Sequence, residues 1–283
     1  MKSLVTGLGW DNSLRVESRS PSGEKVVAVI NPGDDFSISA SAERRCVGYR
    51  PPGGESLLPC PEAVSDISSH QCPNCFNRAQ NLPCLRCVGD YCRNPARRSE
   101  CVQPENHGLY LAAFAPGLIK VGVAKWHRLN NRLSEQGARQ GLIIARDDGQ
   151  LIRRSEAMVK SLGLRDRVSP QDKLRAMSVN CSPEELQEEL AETLATLQRR
   201  MRSKWIEPFL AELPDHPPLP HTRLLEVANL DIHGQVVDTV GQLVIIRDQA
   251  GEHLAVDGTS LIGREISELD KEQGANYQMA LLA

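Results

Sequence analysis

Aromatic side chains are scarce in this sequence, at 4% of its 283 residues. A chain with so few rings cannot rely on an extended base-stacking platform. It also has no apolar run near the roughly 18–20 residues that a membrane-spanning helix needs. From Met1 to Val16 there is no basic-then-apolar leader, because Trp10, Asp11, Asn12 and Arg15 interrupt the pattern. No internal repeat and no low-complexity tract is present. These absences argue against a membrane protein, a secreted protein and a repeat array, and the expectation is a cytoplasmic protein with no membrane partner.

The chain does contain enough hydrophobic residues (40%) and charged residues (24%) for an ordinary globular protein. Its length allows two or more compact units. There are nine cysteines, eight of them between Cys46 and Cys101, with Cys181 standing apart. In a reducing compartment such clustering points to metal binding or catalysis rather than disulfides.

The net charge of −3 hides an asymmetry. Residues 1–105 are neutral overall, 106–180 carry +7, and 181–283 carry −10. The middle segment alone is suited to meeting an anion, and the expected partner is a nucleic acid. The acidic segment that follows is read as a partner surface, an autoinhibitory cover or a solubilising tail. Oligomeric state is left open.

Periodicity divides the chain into five parts with an α+β fold class. Residues 1–45 read as an N-terminal β unit, with Val26–Ile30 and Phe36–Ser39 as strands. Residues 46–105 are rich in Cys, Pro, Arg and Asn and poor in long apolar side chains, so this module needs staples to fold. Residues 106–180 return to strands at Leu109–Phe114, Leu118–Val123 and Gly141–Arg146, with helices at Trp126–Gln136 and Leu151–Leu162. Residues 181–213 form a helical segment opened by the capping box Ser182-Pro183-Glu184-Glu185 and running to about Trp205. A proline-rich linker, Asp215 to Pro220, leads into a small C-terminal β unit within residues 214–283.

The cysteine spacing is specific. Cys72-x2-Cys75 and Cys84-x2-Cys87 are knuckle-like pairs; Cys46 and Cys60 precede them, and Cys92 and Cys101 follow. Eight thiolates suit two structural zinc ions, each tetrahedral with Zn–S bonds of about 2.3 Å. A sequential partition places Cys46, Cys60, Cys72 and Cys75 on one ion and Cys84, Cys87, Cys92 and Cys101 on the other. An interleaved partition is chemically legal too; the sequential one closes shorter loops. An iron–sulfur cluster is the competing use of these ligands, and a redox switch is a further one. Arg78, Arg86, Arg93, Arg97 and Arg98 run through the module, as solvated surface or as phosphate contacts.

Gly108-Leu109-Tyr110 followed by Lys120-Val121-Gly122 resembles the two-strand signature of GIY-YIG nucleases. The resemblance extends to Arg132-Leu133 on the next helix and Glu156 on the one after. It implies roles for Tyr110 in activating water, Arg132 in binding phosphate and Glu156 in holding a single magnesium or manganese ion. Three departures stand out: Lys120 occupies the place of the second tyrosine, Arg132 lies two residues later after Gly122 than the family pattern has it, and no good counterpart of the family's final asparagine is present, Asn180 being a poor one. The wider chain also resembles a prokaryotic family of unknown function, through Arg45-Cys46-Val47-Gly48, Gln71-Cys72, Lys120-Val121-Gly122-Val123 and Glu135-Gln136-Gly137-Ala138.

The residues themselves allow the same chemistry. Neighbouring strands present Tyr110 and Lys120, Arg128 and Arg132 share a helix face, and His127 lies beside them as a proton-transfer or substrate-binding group. One carboxylate suffices for a magnesium ion that keeps most of its waters. The leading expectation is metal-dependent phosphodiester cleavage of nucleic acid, with Tyr110, Lys120, Arg132 and Glu156 catalytic and Arg128 and His127 binding substrate. The alternatives are a non-catalytic nucleic-acid or tRNA-binding zinc protein, and a small-molecule biosynthetic enzyme reusing the fold.

Overall fold

In the computed structural model, residues 2–10, 13–51, 56–79, 84, 86–201 and 205–267 are described. The elements run β1 (Lys2–Trp10), β2 (Leu14–Arg19), β3 (Lys25–Ile30), β4 (Asp35–Arg44), α1 (Pro73–Arg78), α2 (Arg98–Cys101), β5 (His107–Ala115), β6 (Leu118–Lys125) and α3 (Leu129–Ser134). They continue with β7 (Gln140–Asp147), α4 (Gly149–Ser161), α5 (Pro170–Met177), α6 (Pro183–Arg200), β8 (Trp205–Leu210), β9 (Thr222–Leu224), β10 (Asp231–Val240), β11 (Leu243–Asp248), β12 (His253–Asp257), α7 (Gly258–Leu261) and β13 (Arg264–Ser267). The fold is therefore α+β, with two sheets. Two compact units account for it, one of residues 1–82 with 220–283 and one of residues 83–219.

The first unit carries a nine-stranded sheet in the order β3-β2-β1-β13-β4-β10-β11-β12-β9. The N-terminal and C-terminal β segments, read separately from sequence, thus form one sheet. Strand β4 joins them, pairing with β10 through Ile38 and Ile232 and with β13 through Ala40 and Ile266. Alternating burial along β2 and β4 supplies Leu14, Val16, Phe36 and Ile38 to a core shared with Val236, Val244, Ile246 and Val256. Sequence could not reveal this pairing, because strand partners about 200 positions apart leave no local signal.

The second unit is built on a four-stranded antiparallel sheet in the order β6-β5-β7-β8. Strand β5 is buried at every position, as expected of an apolar central strand covered on both faces. Leu109, Leu111 and Val121 point to one face, where Ile152 and Val159 of α4 and Leu186, Leu190, Leu194 and Leu197 of α6 cover them. Tyr110, Ala112 and Phe114 point to the other, against Leu129 and Leu133 of α3 and Ala176 of α5. Asp148 starts α4 by accepting the amides of Gln150 and Leu151 at 2.8 and 2.9 Å. The capping box of α6 forms as expected, with Ser182 and Glu185 bonding each other's backbone amides.

Two boundaries differ from the sequence reading. The helix opened by Ser182 ends at Arg200, and Trp205 begins β8 instead of continuing the helix. That strand contains Pro208 and lies at the sheet edge, where a residue without an N–H is tolerated. The cysteine-rich stretch is not one module: its first four cysteines belong to the first unit and its last four to the second.

Candidate metal centre and anion site

In the first unit, Cys46, Cys60, Cys72 and Cys75 bring their sulfur atoms within 4.8 Å of one another. The sequential grouping predicted for these four is the one observed. Cys72 caps the short helix α1, with Pro73 at its first turn, and its sulfur accepts the Cys75 amide at 3.4 Å. The Cys72 amide in turn donates to the Cys46 sulfur at 3.2 Å. Gly48 lets the chain after Cys46 run close to the Leu58 carbonyl: its φ is +93°, and a β-carbon there would strike that oxygen.

The chemistry of this donor set fits a cation. Burial, then the neighbouring thiols of Cys46, Cys72 and Cys60, push the Cys75 thiol up. Burial raises Cys46 as well. Cys60 is also penalised by burial, yet the Val64 and Glu62 backbone groups bring it down to about 7. Four packed sulfurs resist ionising together unless a positive ion compensates them, and a zinc ion held by four thiolates does so. The four cysteines can therefore hold a metal such as zinc.

In the second unit, Cys84, Cys87, Cys92 and Cys101 surround one cavity of about 170 Å³. They are spread more widely than the first four, which alone among the described residues meet the 4.8 Å spacing. His107, at the start of β5, lines the same cavity. Burial, followed by the charges of Arg153 and Lys125, lowers its pKa to about 4. Glu100 binds Arg97 at 2.8 Å and also Lys125, which hold its carboxyl down at about 2.

Of the residues predicted to bind an anion, Tyr110 and Lys120 lie on the β5–β6 hairpin. Tyr110 pairs with Gly122 and Ala112 with Lys120, so the phenol and the ammonium share a face of the sheet. Tyr110 lies across Gly122, where any β-carbon would collide with the phenol oxygen. The Gln136 amide donates to that oxygen at 2.7 Å and to the Arg132 carbonyl at 3.0 Å. Burial raises the Tyr110 pKa, with Gln136 and Arg132 opposing and Glu156 adding to the rise.

Lys120 is buried and donates to the Asp166 carbonyl at 3.3 Å. Burial, then the positive charges of Arg132 and Lys173, bring it down to about 8. Glu156 belongs to α4, which packs on the Leu109 face, opposite the face that holds Tyr110. Its charge nevertheless acts on both Tyr110 and Lys120, raising the pKa of each. Burial raises its pKa, with Lys160, Arg153 and Lys120 pulling the other way.

Arg128 and Arg132 both bind Glu135, at 2.6 and 3.0 Å. His127 is exposed in the short 3-10 turn before α3. Asn180 lies elsewhere, in a cavity with Arg139 and Cys181. Sequence reasoning missed Gln136, Glu135 and His107. The first two stood in the Glu135-Gln136-Gly137-Ala138 phrase without a role; nothing in the spacing marked His107.

No helix among the described residues is long and apolar enough to cross a membrane. A family model described as "Protein of unknown function (DUF2797)" matches residues 33–254. No curated protein and no solved structure matches the chain.

Proposed function

This chain belongs to the DUF2797 family, whose function is unknown, and on that premise we propose that its second unit is a GIY-YIG-like domain that hydrolyses phosphodiester bonds of nucleic acid. The observation that supports the reading is that Tyr110, Lys120, Arg132 and Glu156, from four separate elements, act on one another electrostatically. A phenol, two basic groups and a carboxylate are the parts such a reaction uses.

Arg132 binds the phosphate and offsets the charge that develops on it. Tyr110, its phenol steadied by Gln136, orients the attacking water. Lys120, with a pKa near 8, is partly an amine near neutral pH and takes the water proton as the new P–O bond forms. The ester P–O bond breaks, and the leaving oxygen takes a proton from solvent. Among the described residues the Glu156 carboxylate has no hydrogen bond or ion pair, so it is free to hold a magnesium or manganese ion. Such an ion, when bound, neutralises charge on the phosphate. The Cys46–Cys60–Cys72–Cys75 zinc is structural in this reading.

The test is incubation of the full chain with labelled DNA and RNA, in magnesium and in EDTA. We expect cleavage that EDTA abolishes and that Glu156→Gln lowers by about 100-fold or more. Unchanged cleavage by Glu156→Gln overturns the assignment. Salt-dependent binding without cleavage replaces it with the non-catalytic nucleic-acid-binding reading. Neither binding nor cleavage leaves the small-molecule enzyme.

A further inference from the structure

The cavity in the second unit holds five metal-binding groups: four thiols and an imidazole. A tetrahedral ion takes four. Hydrogen bonding sorts the five. The sulfurs of Cys84 and Cys87 accept, from the Asn94 side-chain amide and the Gly89 backbone amide, both at 3.4 Å. Thiolate ligands accept in this way. Cys92 does the reverse: its S–H donates to the Asn94 carbonyl at 3.3 Å, so it is satisfied as a neutral thiol.

His107 supplies what Cys92 does not. Its ring is more than nine-tenths buried, at 8% exposed, and its Nδ1 is buried without a hydrogen-bond partner. A buried nitrogen of this kind is costly unless something pairs with it. It sits next to Cys101: a β-carbon placed on Gly149 would lie 2.8 Å from the His107 Nδ1 and 2.9 Å from the Cys101 sulfur. The nitrogen and that sulfur therefore converge on one side of the cavity, and Cys84 and Cys87 line it with them.

We propose that Cys84, Cys87, Cys101 and His107 form a second metal centre for a zinc-class ion, with Cys92 left outside it as a thiol. This changes both the make-up and the character of the second site. Three thiolates and one neutral imidazole leave a net charge of −1 on a zinc complex, against −2 for four thiolates. The donors are also farther apart than those of the first centre, so they must close around the ion as it binds. The first centre is compact before binding. The second centre is the more exchangeable of the two.

The experiment loads the full-length chain with cadmium-113 after labelling its histidines with nitrogen-15, and records cadmium resonances. We expect two resonances, one of them split by coupling to the His107 Nδ1. His107→Ala should remove the splitting and weaken retention of that ion against a competing chelator by at least about tenfold. The other resonance should not move, which shows that the variant is folded. Cys92→Ser should keep both resonances and the splitting. A single resonance in the unmodified chain overturns the proposal, as do two resonances with no nitrogen coupling. Loss of the second ion in Cys92→Ser but not in His107→Ala would assign four thiolates instead.

Discussion

The two compact units reach stability by different routes. The second sets β5 between β6 and β7, pairs it with both over short sequence separations, and buries both faces of the sheet under helices. The first joins strands from the two ends of the chain into one sheet. It then attaches a segment, residues 46–78, whose buried apolar cluster is little more than its own cysteines with Tyr49, Val64 and Ile67 around them. One unit is held mainly by hydrophobic burial, and part of the other is gathered around four cysteines that could hold a metal such as zinc.

The strongest test of this contrast removes the metal. Structural zinc in small fingers is worth an apparent 10–16 kcal/mol or so. Cys72→Ser combined with Cys75→Ser should open residues 46–75 to limited proteolysis, with new cuts mapped by mass spectrometry, while the sheet of the second unit stays protected. An unchanged digest would mean that the quartet is no staple. The converse is Leu190→Ala, at a fully buried position of α6. It should cost the second unit about 2–5 kcal/mol in denaturant unfolding, whether or not metal is present.

Next comes the pH dependence of the second unit. Lys120 has a pKa of about 8 in the fold, against an ordinary 10.5. Between those values the unfolded chain binds a proton that the fold has lost, so the Lys120 contribution makes stability rise with pH across that window. Lys120→Met should flatten the rise in unfolding curves measured from pH 7.5 to 10.5. A rise of the same slope in the variant would place its origin elsewhere. Gly122→Ala forces a methyl into the Tyr110 phenol, and a loss of about 1–3 kcal/mol is expected in the melting curve. The smallest effect belongs to Ser182→Ala, which removes half of a capping box for about 1 kcal/mol of helix stability.

Legibility followed the same division. The central strands could be read because a strand buried on both faces writes an unbroken apolar run, as Leu109 to Phe114 does. Helix α6 announced itself through Ser182 and Glu185. Helix α5 was missed although Ser169 caps it before Pro170, because it is short and amphipathic over only two turns. The nine-stranded sheet was hidden, since Ile38 carries no mark of Ile232. Tyr110, Lys120, Arg132 and Glu156 were named through the GIY-YIG resemblance, and they influence one another electrostatically. Spacing could not show that Glu156 sits on a helix packed on the opposite face of the sheet from Tyr110. Gln136 and His107 could not be found, since their significance lies in one hydrogen bond made and one missing.

The Val121 amide gives its hydrogen to the Arg165 carbonyl at 2.9 Å. That contact places a short piece of the chain against the outermost strand of the smaller sheet. A second molecule trying to extend the sheet by adding its own strand would meet residue 165 first. The outer rim of the β5–β6 hairpin is thereby guarded against self-association, and the lysine beside it, Lys120, is fixed in place by the same segment that does the guarding.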